Sequence, residues 1–244
     1  MIYNQFTPHS DLTNYIDAYW TVKGDKKELT TEKILPDGCV DLIFNLGEDC
    51  NTDNGKFTMK TDKTYLVGTM TSFKDTNMNL ETYLIGIRFK PAAFSAFYKF
   101  SALHEVTNMT VEFEKVLSPD LNKIIKYSTA YLDHFFLKRL ALPKHNLLNV
   151  IADIQFHKGQ MNVQDLAKRQ FTTVRQLERS FKMQLGISPK DFIKLVRFQF
   201  AIELIKRKTT NQSLLDIAFH CGYYDHAHLT NEIKHFTGTS PSQL

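Results

Sequence analysis

Hydrophobic positions change rhythm along this chain. Over the first ninety residues they fall in short runs cut by polar turns. Ala18–Val22, Glu32–Leu35, Cys39–Leu46, Lys56–Met59, Tyr65–Gly68 and Glu81–Phe89 read as strands, because β-branched and aromatic residues cluster between turn formers. Pro36-Asp37-Gly38 is the sharpest of those turns. Cys39–Leu46 is apolar at nearly every position, as a strand covered on both faces would be. Strands this short and this closely spaced predict an antiparallel barrel or sandwich.

After Phe89 the rhythm becomes helical. Pro91 suits a first helical position, so the aromatic run to Tyr98 is predicted as a helix. Thr107–Leu117 is predicted as another. Leu121–Leu140 is clearer, with Leu121, Ile124, Ile125, Tyr127, Tyr131, Leu132, Phe135 and Phe136 near a 3.6-residue period. That wide stripe either packs back on the strands or pairs two subunits. Leu142-Pro143-Lys144-His145 breaks it and marks the expected boundary between domains 1–142 and 145–244.

The second domain contains one device written twice. Leu166-Ala167, Phe171, Leu177, Phe181-Lys182, Leu185-Gly186 and Ser188-Pro189 return as Ile217-Ala218, Gly222, Leu229, Ile233-Lys234, Thr237-Gly238 and Ser240-Pro241. The offset is 51 residues up to Gly222 and 52 from Leu229, so the second turn is one residue longer. A leading helix, Leu147–His157, precedes the first copy. Asn162 with Asp165, Ser188 with Asp191, and Ser213 with Asp216 read as helix caps, and Asp225 caps the last helix. Each copy is then a helix, a turn and a second amphipathic helix: Val163–Gln170 with Thr173–Leu185, and Leu214–His220 with His226–Phe236. A connecting helix from Ser188 to about Lys206 joins them. On Thr173–Leu185, Val174, Leu177, Phe181 and Leu185 form one stripe, and long polar side chains lie opposite. A helix docked in a DNA groove needs that division, and an ordinary solvated helix shares it.

Charge supports the first reading modestly. The 244 residues carry a net +4. Residues 145–244 hold 13 Lys/Arg against 8 Asp/Glu, whereas residues 1–144 are net −1. The basic excess sits on the repeated half, as a polyanion partner would require. Three widely spaced cysteines, Cys39, Cys50 and Cys221, fit a reducing compartment. No run of apolar residues is long enough to span a bilayer, and Met1–Gln5 does not begin a secretory leader, so a cytoplasmic location without membrane contact is expected.

Chemistry is sparse. His9, His104 and His134 are the only histidines before residue 145, and none falls on a predicted strand. Phosphate-binding loops and nucleophile elbows are missing. His226 and His228 point about 200° apart on a helix, which suits no shared ion. No enzyme activity, cofactor or metal is therefore expected. The alternative is a DNA-repair or DNA-modifying enzyme with Cys39 as its thiol, although Asp37 and Asp41 would raise that thiol's pKa. Trp20, Phe44, Tyr65, Tyr83 and Phe89, together with Phe73, are aromatics that line either a small-molecule pocket or a plain core.

The repeated half resembles the AraC/XylS transcription regulators. The resemblance rests on the framework of both copies, on Arg197-Phe198 with Ala201 and Leu204-Ile205, and on Cys221-Gly222-Tyr223, over about 100 residues. It implies an α+β chain: a β-rich regulatory domain followed by an all-α domain whose two recognition helices enter successive major grooves of double-stranded DNA. Carried over by position, it makes Thr173, Arg175, Gln176, Glu178, Arg179 and Lys182 contacts of the first helix. His226, Ala227, His228, Thr230, Asn231 and Lys234 are those of the second. Arg175 and Arg179 suit guanine, Glu178 cytosine, Asn231 adenine, and Lys182 and Lys234 phosphate. Asn231 stands where the family usually has Arg, and Ile233 where it has Phe. The strings Ile34–Phe44 and Gly86–Pro91 resemble sensor domains of one subgroup, which implies a small-molecule effector. A homodimer and contact with RNA polymerase are further expectations.

Overall fold

The computed structural model describes residues 1–25, 28–100, 102–143, 147–207 and 213–244. Ten strands come first: β1 Ile2–Phe6, β2 Ile16–Lys23, β3 Thr30–Ile34, β4 Val40–Asn45, β5 Cys50–Thr52, β6 Phe57–Met59, β7 Lys63–Val67, β8 Lys74–Met78, β9 Tyr83–Phe89 and β10 Thr110–Glu112. Six form one antiparallel sheet in the order β1-β2-β9-β4-β7-β10. Two small ladders, β3-β8 and β5-β6, lie apart from it. They join side by side where the Thr52 and Thr76 hydroxyls meet at 3.0 Å. The domain is thus an open, sandwich-like arrangement.

The period-two pattern decides what each face does. Tyr19, Val40, Leu42, Phe44, Ile85, Ile87 and Phe89 point to one side, into an aromatic core shared with Phe94, Phe97, Tyr98 and Phe136. Trp20, Val22, Tyr65 and Leu84 point to the other, toward Cys50, Met59 and Met78 of the ladders. The central strands β4 and β9 are covered on both sides, which is why their sequences are almost wholly apolar. Trp20 lies flat across Gly86, its partner in register on β9. A Cβ at Gly86 would stand 2.0 Å from the indole.

Helix α1, Leu121–Arg139, packs back on the first face through Ile124, Leu132 and Phe136, and kinks at Ser128 (φ 52°). Ile125 and Tyr127 remain exposed. Two other expected helices are corrected. The run after Pro91 makes only a 3₁₀ turn at Phe94–Ala96, because Ala92 takes φ 62° and the aromatics must fan into the core. Thr107–Leu117 is not helical: a 3₁₀ turn at Leu103–Val106 leads into β10, which completes the sheet against β7. The expected boundary at 142–145 falls in part on residues outside those described.

The helical domain follows: α2 Leu147–Phe156, α3 Val163–Arg169, α4 Val174–Gln184, α5 Pro189–Lys206, α6 Leu214–His220 and α7 His226–Thr237. Each expected cap is made, with Asn162, Ser188, Ser213 and Asp225 accepting from the backbone NH three residues on. Even the turns correspond, since Phe171 and Gly222 both take left-handed φ, 50° and 74°. Among the described residues, no helix is long and apolar enough to cross a membrane.

Gly86→Ala is expected to cost about 1–3 kcal/mol by driving the indole off the sheet. Chemical unfolding of the purified variant measures it, and an unchanged midpoint would mean that Trp20 does not need the glycine.

Candidate nucleic-acid interface

Helix α4 stands on its apolar stripe. Leu177 and Phe181 are buried in a core with Leu147, Ile151, Leu166 and Phe192. Thr173 caps its start and forms a capping box with Gln176. The Gln176 carbonyl oxygen therefore accepts from the Thr173 backbone NH, at 3.3 Å, and is engaged within the protein. Arg175, Glu178, Arg179 and Lys182 are exposed, and their side chains have no hydrogen-bond or ion-pair partner among the described residues.

Helix α7 is mounted differently. Leu229, Ile233 and Phe236 are buried. The Ile233 side chain is wholly inside, so it serves as a core anchor of the helix. Glu232, also buried, accepts from the Arg197 guanidinium at 2.9 Å and from the Tyr223 hydroxyl at 2.7 Å. The Arg197 guanidinium stacks 4.5 Å over the Tyr223 ring. This brace ties α7 and its turn to α5, and the periodicity did not reveal it because Glu232 lies between helix-face positions. His226, Ala227, Asn231 and Lys234 are exposed, and Thr230 is half-buried. The ring of His228 packs edge-on against Tyr223, 5.2 Å away.

The N-terminal domain grips both of these helices at the same place. Thr69 Oγ1 donates to the Leu185 carbonyl at 2.6 Å, and Thr107 Oγ1 to the Gly186 carbonyl at 2.8 Å. At the second copy, Lys33 Nζ donates to the Thr237 carbonyl at 2.8 Å and sits 4.2 Å over Phe73. Gly238, at φ 72°, lies so close to Phe73 that a Cβ would come within 2.7 Å of the ring. Leu185-Gly186 and Thr237-Gly238 are equivalent positions of the repeat. They are C-terminal ends, where helix carbonyls lack partners within the helix. A third contact sets Gly38 against Phe192 of α5.

A cavity of about 440 Å³ lies between the six-stranded sheet and the ladders. Trp20 lines it, with Tyr3, Ile43, Met78, Asp41 and Arg88. The other expected pocket aromatics are placed elsewhere. Phe44 and Phe89 face the opposite core. Tyr65 is buried with its hydroxyl accepting from the Lys60 NH, and Tyr83 packs under Lys23. Period-two alternation separates Phe44, Tyr83 and Phe89 from the cavity, whereas Tyr65 shares the face of Trp20 but packs beside the space rather than lining it. Ile34, Met70 and Lys74 also line the cavity, next to the gripping residues Lys33, Thr69 and Phe73.

Comparison with known proteins identifies the helical half. A helix-turn-helix domain model matches residues 166–244, and a model for a domain of unknown function (DUF6597) matches residues 4–112. An uncharacterized HTH-type transcriptional regulator of Haemophilus influenzae is 33% identical over 94 residues, 38% of this chain and 31% of that one. The HTH-type transcriptional activator RhaS of Escherichia coli O157:H7 is 24% identical over 153 residues, 59% of this chain and 54% of that one. Residues 166–244 thus form a helix-turn-helix domain of the AraC type, similar to that of these transcription regulators. The chain spans about half or less of the length of the curated relatives it matches. The structure of ToxT from Vibrio cholerae shares the fold of this chain, with a TM-score of 0.52 at 11% identity over 100% of this chain and 97% of that one.

Glu232→Ala is expected to cost about 3–5 kcal/mol, since it strands a largely buried guanidinium. Thermal unfolding checks this, with exposed Glu203→Ala on α5 as the neutral control. Equal melting temperatures for both variants would mean that the brace carries no load.

Proposed function

We propose that this chain is an AraC/XylS regulator and binds double-stranded DNA sequence-specifically, with α4 and α7 in successive major grooves on one face of the duplex. The observation that carries the proposal is the common mounting of the two helices. Both hold their C-terminal ends against the N-terminal domain and leave their N-terminal halves open. Those halves are the parts of a recognition helix that reach base edges. Eighteen residues of α5 give a spacer of about 27 Å at 1.5 Å per residue, comparable with the roughly 34 Å of one DNA turn.

Roles follow from what each side chain has left to offer. Arg175 and Arg179, without partners among the described residues, suit guanine; Glu178 suits cytosine N4 and Asn231 adenine. Lys182 and Lys234, nearer the helix ends, suit phosphate. Thr173 and Gln176 are committed to the cap and act on DNA through the backbone. The first helix, with these two arginines, contributes more of the affinity than the second.

The N-terminal domain senses a small molecule in its cavity, and the cavity wall carries the signal. Residues 33–34 and 69–74 line that space on one side and hold the recognition helices on the other. This reading also includes a cytoplasmic location, contact with RNA polymerase, and pairing of two chains, for which the exposed Ile125 and Tyr127 of α1 offer apolar surface. An enzymatic reading through Cys39 has less support. Burial first, then Asp37 and Asp41, push that thiol well above its ordinary pKa, which keeps it in its unreactive form at neutral pH.

Arg175→Ala or Arg179→Ala is expected to cost about 1–3 kcal/mol of specific binding and to relax selectivity at one base position. Lys182→Ala is expected to weaken all sequences alike and to flatten the salt dependence. Fluorescence anisotropy with promoter duplexes across a salt series separates the two. Uniform loss in the arginine variants would assign those residues to phosphate.

A further inference from the structure

The wall of the N-terminal cavity is mostly apolar, but it includes Lys74 and the Thr52 and Thr76 hydroxyls and, where β4 pairs with β9, a charged cluster. There, Asp41 stands directly opposite Arg88 on the neighbouring strand. Arg88 is shared between two acids: its Nε lies 3.4 Å from Asp37 and 3.5 Å from Asp41. One guanidinium therefore faces two carboxylates. The other cations at the cavity are already closed into pairs, Lys74 with Asp53 and the Met1 ammonium with Asp25. An entering anion would find the buried Arg88 Nε–H, which has no hydrogen-bond partner among the described residues, but would meet the Asp41 carboxylate in the wall and Asp37 behind it. A cation would find a surplus carboxylate in a desolvated setting. Burial pushes the Asp41 pKa up to about 6 despite Arg88, so that surplus is costly while the cavity end holds no further cation.

Aromatic faces stand beside the acid. Trp20 donates its indole NH to Asp41 at 2.8 Å, which fixes the ring next to the carboxylate. Tyr3 lies over the same region, its ring centroid 6.4 Å from that of Trp20. A carboxylate flanked by aromatic rings is the arrangement that binds an organic ammonium, by Coulomb attraction and by the ring quadrupole together. Ile43, Met78 and Leu84 give much of the remaining wall an apolar surface. The volume, about 440 Å³, falls within the range of small-ligand sites.

We propose that the cavity takes an apolar organic cation, an amine with an aromatic or branched aliphatic body, whose ammonium group sits at Asp41 and whose body lies against Trp20. This rests on the sensing role given to the cavity above and supplies the ligand class.

Trp20 is the only tryptophan of the chain, so indole fluorescence reports on this cavity alone. Three probes of one shape separate the possibilities: 2-phenylethylamine, 2-phenylethanol and 3-phenylpropionate, titrated into the full chain at neutral pH. The amine is expected to bind at least tenfold tighter than the alcohol, with the acid weakest. Asp41→Asn keeps an acceptor for the indole NH and is expected to erase the preference for the amine. The ordering in the unmodified chain tests the proposal even if that variant folds poorly. Tightest binding of the acid would overturn the proposal in favour of Arg88 as an anion site. Equal binding of amine and alcohol, or no response to any probe, would overturn it as well. DNA binding by the same samples without probe is measured in parallel. Its loss would count against the regulator reading, whereas its presence beside a failed amine preference would count against the ligand class alone.

Discussion

Three carbonyl groups, at the ends of two helices, hold this molecule together as a device. A helix ends with carbonyls that its own backbone cannot satisfy. In most helices, water or a left-handed glycine cap serves them. Here α4 and α7 both have the glycine, and each also lends carbonyls to the other domain: Leu185 and Gly186 to Thr69 and Thr107, Thr237 to Lys33. The duplication makes these sites equivalent, so one surface of the N-terminal domain can hold both. The two helices are thereby fixed by two supports, α5 on one side and the β domain on the other. Preorganisation of this kind raises affinity by removing ordering cost at the moment of binding.

The same constraint explains why the β domain is open rather than a closed barrel. Its small ladders are needed as a separate layer. Their inner face walls the cavity, and β3 with the segment before β8 reaches the helical domain. A closed sheet would hide these segments inside one continuous wall. Coupling between cavity and helices then needs no long path, because Ile34 and Lys33 are adjacent residues on opposite sides of a strand, and Met70 and Lys74 flank the contact residue Phe73.

Much of the helical half was legible in the sequence because its signals are local. Caps at Asn162, Ser188, Ser213 and Asp225, a glycine after each recognition helix, and a 3.6-residue stripe all act within a few residues. The β domain was harder. Strand β1 is exposed at every position, and β8 reads Lys-Asp-Thr-Asn-Met, whose buried members include Lys74 and Thr76. Their pairing is decided by neighbours distant in sequence. Pro91 and the aromatics behind it imitate a helix start, and only the convergence of Phe94, Phe97 and Tyr98 on Phe89 shows why the chain turns instead. The gripping residues carried no sequence signal at all: Lys33, Thr69, Phe73 and Thr107 are ordinary types whose role exists only across the domain contact. Glu232 was passed over for a related reason, since a lone acid on a helix usually faces water.

The most direct measurement is of DNA affinity after the grip is released without touching any outward residue of α4 or α7. Lys33→Ala with Phe73→Ala frees the end of α7, and Thr69→Val with Thr107→Val frees that of α4. The combined variant, checked for intact folding by circular dichroism, is compared with the parent chain by anisotropy on a single specific duplex. Loss of the fixed arrangement is expected to weaken specific binding by tenfold or more, about 1.4 kcal/mol, while leaving the salt slope unchanged. Affinity equal to or above that of the parent chain would contradict the idea that the N-terminal domain holds the two helices ready for DNA.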